Sequence, residues 1–234
     1  MRYLFPVIIF LAACASIQPL SGGDKDETAP KILNTSTDSA SINVTEQSFT
    51  FTFDEYIKTT KVSDLLIISP NQKINPEVNV KGKKLTIELK DELIPNTTYT
   101  FQFNGSVIDL NESNPLGDYK YIFSTGSYID SLTHNGYAFD IVENGPCKNC
   151  NVQLYQSFND SIVLKQKPDY ITRTDDNGKY TLTNLPSNSF NKIILKDGNK
   201  NLLLDKDESV SISKVINTDS TNRDTSIVFP LPNT

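Results

Sequence analysis

The chain has 234 residues, enough for two domains of ordinary size, and its 22 Lys and Arg against 28 Asp and Glu give a formal charge of −6. No run of Lys and Arg forms a stripe that could hold phosphates, which speaks against nucleic acid as a partner. Abundant Thr, Ser, Asn, Val, Ile, Phe and Tyr, with little Ala and a single Met, favour strands and turns over helices.

Arg2 supplies one positive charge, and Tyr3 to Ala13 then carries none, the layout of a secretory signal over residues 1–13. At about 1.5 Å per helical residue this core is too short for a bilayer interior of about 30 Å. Ala12 and Ala13 suit a signal peptidase, yet a cysteine follows. Leu11-Ala12-Ala13-Cys14 resembles the bacterial lipobox. The resemblance implies that Cys14 becomes the new N-terminus and carries a diacylglyceryl thioether and an N-acyl chain such as palmitate. Two or more chains, at about 0.8 kcal/mol per buried CH₂, would make a stable membrane anchor. The alternative is an ordinary secretory signal that happens to contain a cysteine. Removing residues 1–13 takes away Arg2, so the charge becomes 21 − 28 = −7, and no second apolar run of membrane length follows.

Residues 14–28 are small, polar and Gly-containing and read as a lipidated flexible tether. Its Asp24-Lys25-Asp26-Glu27 resembles the acidic export signals of surface lipoproteins in the Bacteroidetes group, although it lies further from the cysteine than is typical. The expected location is therefore the bacterial outer membrane, on its periplasmic or cell-surface side.

Over residues 29–126 period-two alternation predicts strands at Phe49-Phe51-Phe53, Leu85-Ile87-Leu89 and Tyr99-Phe101-Phe103, each with one apolar face. Val80 to Leu85 carries a hairpin signal at Gly82, Pro95 to Thr98 is a turn, and Asn111 to Gly117 is a loop. Short strands at this spacing argue for an antiparallel sandwich. Phe51-Thr52-Phe53-Asp54-Glu55-Tyr56-Ile57, Leu93 to Tyr99, Ile108-Asp109 to Leu116, and Tyr121 to Gly126 resemble the bacterial Ig-like domain of S-layer proteins of the SbsA type. That resemblance implies a spacer or presentation module with no catalytic residues.

Over residues 127–234 a second strand-rich stretch follows a short junction at Ser127 to Ser131. Its strands are predicted around Tyr137, Leu154, Ile171, Thr181, Ile194 and Val228, with a hairpin turn at Asp175-Asp176-Asn177-Gly178. Thr174 to Pro186 is similar to the central hairpin of the carboxypeptidase regulatory-like or CnaB-like prealbumin fold. The chain departs from that pattern at Ser187 to Phe190, where those families place a Gly. The expected fold class is thus all-β, with two consecutive antiparallel β-sandwich domains, Ig-like and then prealbumin-like.

Asp197 to Glu208 has the ligand spacing of an EF-hand-type calcium loop: Asp197, Asn199, Asn201, Asp205 and Glu208 offer side-chain oxygens, and Leu203 its carbonyl. Position 6 is Leu202, where that loop wants a Gly, and no flanking helices are predicted. The competing reading is a polar hairpin with acidic solubilising residues. Asp109 to Asn114 also offers oxygens, but such loops usually satisfy their own backbone, and this one reads as a turn. Cys147 and Cys150 are expected to form a local disulfide, since Cys14 is spoken for. A redox centre would need the first cysteine at a helix start, and a zinc site four ligands. His134, the only histidine, is expected to be an ordinary polar residue near the junction.

The sequence points to a non-enzymatic structural or interaction module. It would be held to the membrane by its lipid, with envelope proteins or glycans as partners. Carbohydrate binding is one alternative, with Tyr119, Tyr121, Tyr128 and Tyr170 as a candidate platform, although the chain has no Trp. A hydrolase using paired carboxylates is another.

Overall fold

The computed structural model describes residues 25–218 and 224–230, so the lipobox and its cysteine lie outside the described residues. In the first half the strands are β1 (Ile32–Thr35), β2 (Ser48–Phe53), β3 (Ile57–Thr59), β4 (Ile67–Ser69), β5 (Glu77–Lys81), β6 (Lys84–Glu88), β7 (Thr98–Gln102), β8 (Val107–Asp109) and β9 (Lys120–Ser124). A single helical turn, α1 (Val62–Leu65), interrupts them. One sheet runs β1-β2-β6-β5 and the facing one β4-β7-β9, while β3 and β8 form a two-stranded ribbon. Every strand pairing in this half is antiparallel. Between β1 and β2, which share a sheet, the chain touches the facing one, where Ser41 makes a parallel bridge to Phe123.

The alternation in β2 explains why two sheets meet here. Phe49, Phe51 and Phe53 point inward and the threonines between them outward, so β2 lays a row of rings against Tyr99, Phe101, Tyr121 and Phe123 of the opposite sheet. Phe49 and Phe123 centroids lie 4.5 Å apart, Phe51 and Tyr121 5.1 Å, and Tyr99 stacks on Phe123 at 5.0 Å. Such pairs add about 0.5–1.5 kcal/mol each beyond their area burial. The expected hairpin at Gly82 is present: β5 pairs β6 from Glu77↔Glu88 to Lys81↔Lys84.

The second half contains β10 (Leu132–Asp140), β11 (Gly145–Pro146), β12 (Asn151–Tyr155), β13 (Tyr170–Arg173), β14 (Lys179–Leu185), β15 (Ser189–Lys196), β16 (Ser209–Asn217) and β17 (Asp224–Pro230), with a short 3-10 helix, Asp160–Leu164, between β12 and β13. β10 lies between β14, antiparallel, and β17, parallel, while β12 lies between β13 and β15. β15 pairs β16, whose first residues reach β17 at Ser209↔Pro230 and Val210↔Phe229.

The turn at Asp175 to Gly178 forms, with Asp175 N–H donating to the Lys179 carbonyl at 2.8 Å. It is not a hairpin in the sense expected, because the strands it joins part company: β13 pairs with β12 and β14 with β10. The chain crosses there between two distant parts of one eight-stranded sheet, which runs β11-β10-β17-β16-β15-β12-β13 with β14 paired to β10. Gly178 has φ +72, and a Cβ on it would stand 2.3 Å from the Ala138 carbonyl, so the crossing needs a glycine.

Apolar side chains gather on both faces of the β12–β15 layer. Val152, Leu154, Phe190 and Ile194 join Tyr180, Leu182 and Val228 in one cluster, and Tyr155, Ile193, Leu195 and Val210 join Val163 and Leu204 in another. Burial on two faces is why β12 lacks polar-out alternation. No residue is shared between these clusters and that of the first half. The halves meet through polar bonds: Asn71 N–H to the Asp169 carbonyl at 2.8 Å, Asp130 N–H to Thr98 Oγ1 at 2.8 Å, and Lys200 Nζ to Asp64 Oδ2 at 2.6 Å.

Candidate functional site

The acidic loop, residues 197–208, joins β15 to β16 and so begins and ends on a hydrogen-bonded pair, Lys196↔Ser209. Two of its residues, Lys200 (φ +64) and Leu202 (φ +65), take the left-handed conformation. Leu202 stands where a glycine is usual, and the loop makes its sharp turn with a leucine at some steric cost. Asp197 organises the first turn: its Oδ1 accepts from Lys200 N–H at 2.6 Å and its Oδ2 from Leu202 N–H at 2.9 Å. Asn199 and Asn201 repeat the motif, accepting from the N–H groups of Asn201 (3.0 Å) and Leu203 (2.7 Å). Both asparagine amides also donate to Asp205 Oδ2, at 2.7 and 2.8 Å. Glu208, 8% exposed, closes the ring by accepting from Gly198 N–H at 2.7 Å and Asp205 N–H at 3.1 Å.

The structure therefore gathers Asp197, Asn199, Asn201, Asp205 and Glu208 into one network, with Leu203 on the same turn. Among the described residues no group of three or more His, Cys, Asp or Glu stands at metal-holding spacing. The donor set offers oxygen only, three carboxylates, two amides and a carbonyl, which suits a hard cation such as Ca²⁺ and no soft one. The loop is also a packing element: Leu204 is buried in the second apolar cluster, and its N–H donates to the Val163 carbonyl at 2.9 Å.

From this loop a chain of contacts runs to the first half. Asn151 Nδ2 donates to Asp197 Oδ2 at 3.0 Å, and Arg173 Nε donates to Asn151 Oδ1 at 3.2 Å. Lys200, on the loop itself, forms an ion pair with Asp64 of α1 at 2.6 Å. Arg173 faces a cleft of about 480 Å³ between the halves, whose walls include Gln102, Tyr119, Lys120, Asn149 and Thr174. Lys120 reaches across the junction and donates to Thr183 Oγ1. Burial lowers the pKa of both Lys120 and Arg173.

Cys147 and Cys150 are bonded to each other with Cα atoms 5.8 Å apart, and both are buried. Thr174 ties this small loop to the end of β13: its hydroxyl accepts from Cys150 N–H at 2.8 Å and donates to the Cys147 carbonyl at 2.5 Å. Asn149, between the cysteines, is thereby fixed in the cleft wall.

Other residues singled out in the sequence fall elsewhere. Asp109 is a turn centre, accepting from the N–H groups of Glu112, Ser113 and Asn114 at 2.6, 2.9 and 2.6 Å. His134 is buried in β10 with its Nε2 3.4 Å from Tyr180 Oη, because alternation along β10 turns it inward. The four tyrosines do not make a platform: Tyr121 and Tyr170 are buried in separate clusters, Tyr119 packs on Phe103, and Tyr128 stands alone in solvent. Sequence reasoning missed Lys192, fully buried on β15, whose Nζ donates to Tyr180 Oη at 3.0 Å and Ser226 Oγ at 2.9 Å. It also missed that Lys120 and Arg173 line one cleft.

Residues 26–125 match the family described as Bacterial Ig-like domain. This stretch of the chain is similar to that family's domain. The match starts at Asp26, whose carbonyl accepts from Asn114 Nδ2 at 2.9 Å. Curated proteins give no match to the chain. Among solved structures, the N-terminal part of the bacterial S-layer protein SbsC is 13% identical with a TM-score of 0.29, over 88% of this chain and 45% of that one. An L,D-transpeptidase from Mycobacterium smegmatis is 11% identical with a TM-score of 0.31, over 70% of this chain and 76% of that one. BcpA, the major pilin subunit of Bacillus cereus, is 14% identical with a TM-score of 0.26, over 85% and 70%. The chain spans less than half the length of the S-layer fragment, and TM-scores this low carry no argument about fold or function. Among the described residues no helix is long and apolar enough to cross a membrane.

Proposed function

We propose that this protein is an envelope lipoprotein serving as a non-enzymatic structural or interaction module, tethered through lipid on Cys14. The observation that carries the reading is the match of residues 26–125 to the bacterial Ig-like domain, with a second β-rich unit packed directly against it through backbone and side-chain bonds. In this reading residues 1–13 are removed, 14–28 form the tether, and the prealbumin-like sandwich over 127–234 stands beyond the Ig-like one. The partners would be envelope proteins or glycans, at the outer membrane.

The acidic loop fits the reading as a brace. Asp197, Asn199, Asn201, Asp205, Glu208 and the Leu203 carbonyl would hold Ca²⁺, which supplies positive charge to a loop now cross-linked by its own amides. The loop's ion pair to α1 would then stiffen the junction as well. Fractionation of native cells tests the anchor: a Cys14→Ser variant is expected in the soluble fraction. Recovery of that variant with the membranes would remove the lipoprotein reading while leaving the fold untouched.

A further inference from the structure

The cleft between the halves holds two half-buried cations that the proposed module function does not use. Lys120 and Arg173 form no ion pair with a carboxylate of the described residues. Lys120 spends one of its donors on Thr183 Oγ1, and Arg173 spends its Nε on Asn151, which orients the guanidinium and leaves its two terminal amino groups without an acceptor among the described residues. A cation drawn part-way out of water is costly: burial is the only effect acting on Lys120, and at Arg173 it outweighs the opposing charges of Asp64 and Asp197, neither of which forms an ion pair with it. An opposite charge entering the cleft would relieve both sites at once, and the planar fork of Arg173 matches a carboxylate or phosphate in two parallel bonds.

The remaining lining narrows the ligand. Gln102, Asn104 and Asn149 bring amides that can both donate and accept, and Tyr119 brings a ring, the equipment that meets hydroxyl groups and an apolar sugar face. Asp118 and Asp175 belong to the same walls but are exposed, and Asp175 Oδ1 already accepts from the Asn177 and Lys179 N–H groups at 2.9 Å each. Positive charge thus lies inside and acceptors at the rim. A volume of about 480 Å³ accommodates one or two sugar rings. The walls are held: the disulfide and Thr174 fix Asn149, and Asn104 Nδ2 donates to the Leu65 carbonyl at 2.9 Å.

We propose that this cleft binds an anionic sugar, a hexuronate or a sugar phosphate, with its acid group on Lys120 and Arg173 and its hydroxyls toward the amides and rim carboxylates. The binding is indifferent to whether Cys14 carries lipid, so it can fail independently of the anchoring reading.

Calorimetric titration of the full chain with galacturonic acid, glucose 6-phosphate and neutral glucose tests it. At least one anionic sugar is expected to bind with a dissociation constant of about 1 mM or tighter, and glucose to give no heat. Response to galacturonic acid alone assigns a carboxylate, and response to glucose 6-phosphate alone a phosphate. Binding should weaken several-fold as salt rises from about 0.05 to about 0.5 M. Arg173→Gln and Lys120→Gln should each lower affinity about tenfold or more, while Lys206→Gln, exposed and outside the cleft, leaves it unchanged. Should Lys120→Gln fail to fold, Arg173→Lys keeps the charge but loses the fork, and should bind more weakly at an unaltered melting temperature. No heat from either anionic sugar at about 10 mM, equal binding of glucose, or full affinity in Arg173→Gln would overturn the proposal.

Discussion

The two halves solve the same problem, two β-layers and an interior, with different chemistry. The Ig-like half buries a single cluster in which seven of the central side chains are aromatic rings in mutual contact, and its buried carboxylate, Asp109, ends β8 outside that cluster. In the other half the apolar interior is split by the β12–β15 layer, and fully buried polar groups are threaded through it: Lys192, Asp140 and Gln153. Each has partners. Asp140 takes an ion pair from Lys196 at 2.8 Å, and Gln153 accepts from the Tyr155 hydroxyl at 3.0 Å and donates to the Leu202 carbonyl at 3.2 Å. The lesson is that one half gains its uniqueness from ring shape and the other from satisfied polar bonds, so they should fail under different insults.

The largest expected difference comes from removing a ring. Phe123 touches Phe49, Tyr99, Phe101 and Tyr121, so Phe123→Ala opens a cavity on four sides. A loss of about 3–5 kcal/mol is expected, read as a lowered unfolding midpoint in urea for probes in the Ig-like half. Probes in the second half should move much less, since the interface between the halves is polar. Equal shifts in both would show that the two clusters unfold as one unit and would erase the comparison.

A smaller effect, on the other half, separates the two readings of the acidic loop. If the loop takes calcium, the second half gains about 2.7 kcal/mol at a free concentration 100 times the dissociation constant, and a chelator reverses it. Asp197→Asn, which removes the carboxylate at the head of the loop, should abolish the gain. An unchanged melting temperature at about 1–10 mM calcium would leave the loop as a plug for the second cluster through Leu204.

How far the sequence foretold these things follows from the range of the contacts involved. β2, β6 and β7 were legible because period-two alternation is a local signal that one buried face imposes. The partners of β13 and β14 were not, because an Asp-Asn-Gly turn reads the same whether the strands beyond it pair or separate. The spacing of Asp197 to Glu208 showed the donors, but a left-handed Leu202 is a conformation only the closed loop enforces. Lys120 and Arg173 read as outward-facing residues of their own strands, and each does face away from its own cluster. What covers them is the other half of the chain, as where Lys120 meets Thr183, 63 residues distant in sequence, and no local pattern encodes such a contact.

The smallest effect returns to the Ig-like half and to a loop built on the same principle as the acidic one. Asp109, like Asp197, collects backbone N–H groups, and both of its carboxylate oxygens are satisfied within the turn. Burial alone would raise the pKa of Asp109. The N–H groups of Asn114, Ser113, Glu112 and Asn111 outweigh it and hold the carboxyl below the ordinary carboxylate value. A folded-state pKa below the unfolded one contributes stability that is present above about pH 4 and is lost as pH falls through the folded value. Asp109→Asn carries no such charge at any pH. Its melting temperature should therefore lie below that of the unsubstituted chain at pH 7, and the gap should close as both are taken from about pH 4 toward pH 2. A gap that stays constant over that range would mean that the asparagine acts through the shape of the turn and not through the charge. The carboxylate would then be as structural as the phenylalanines, and the contrast between ring-built and bond-built halves would be the weaker for it.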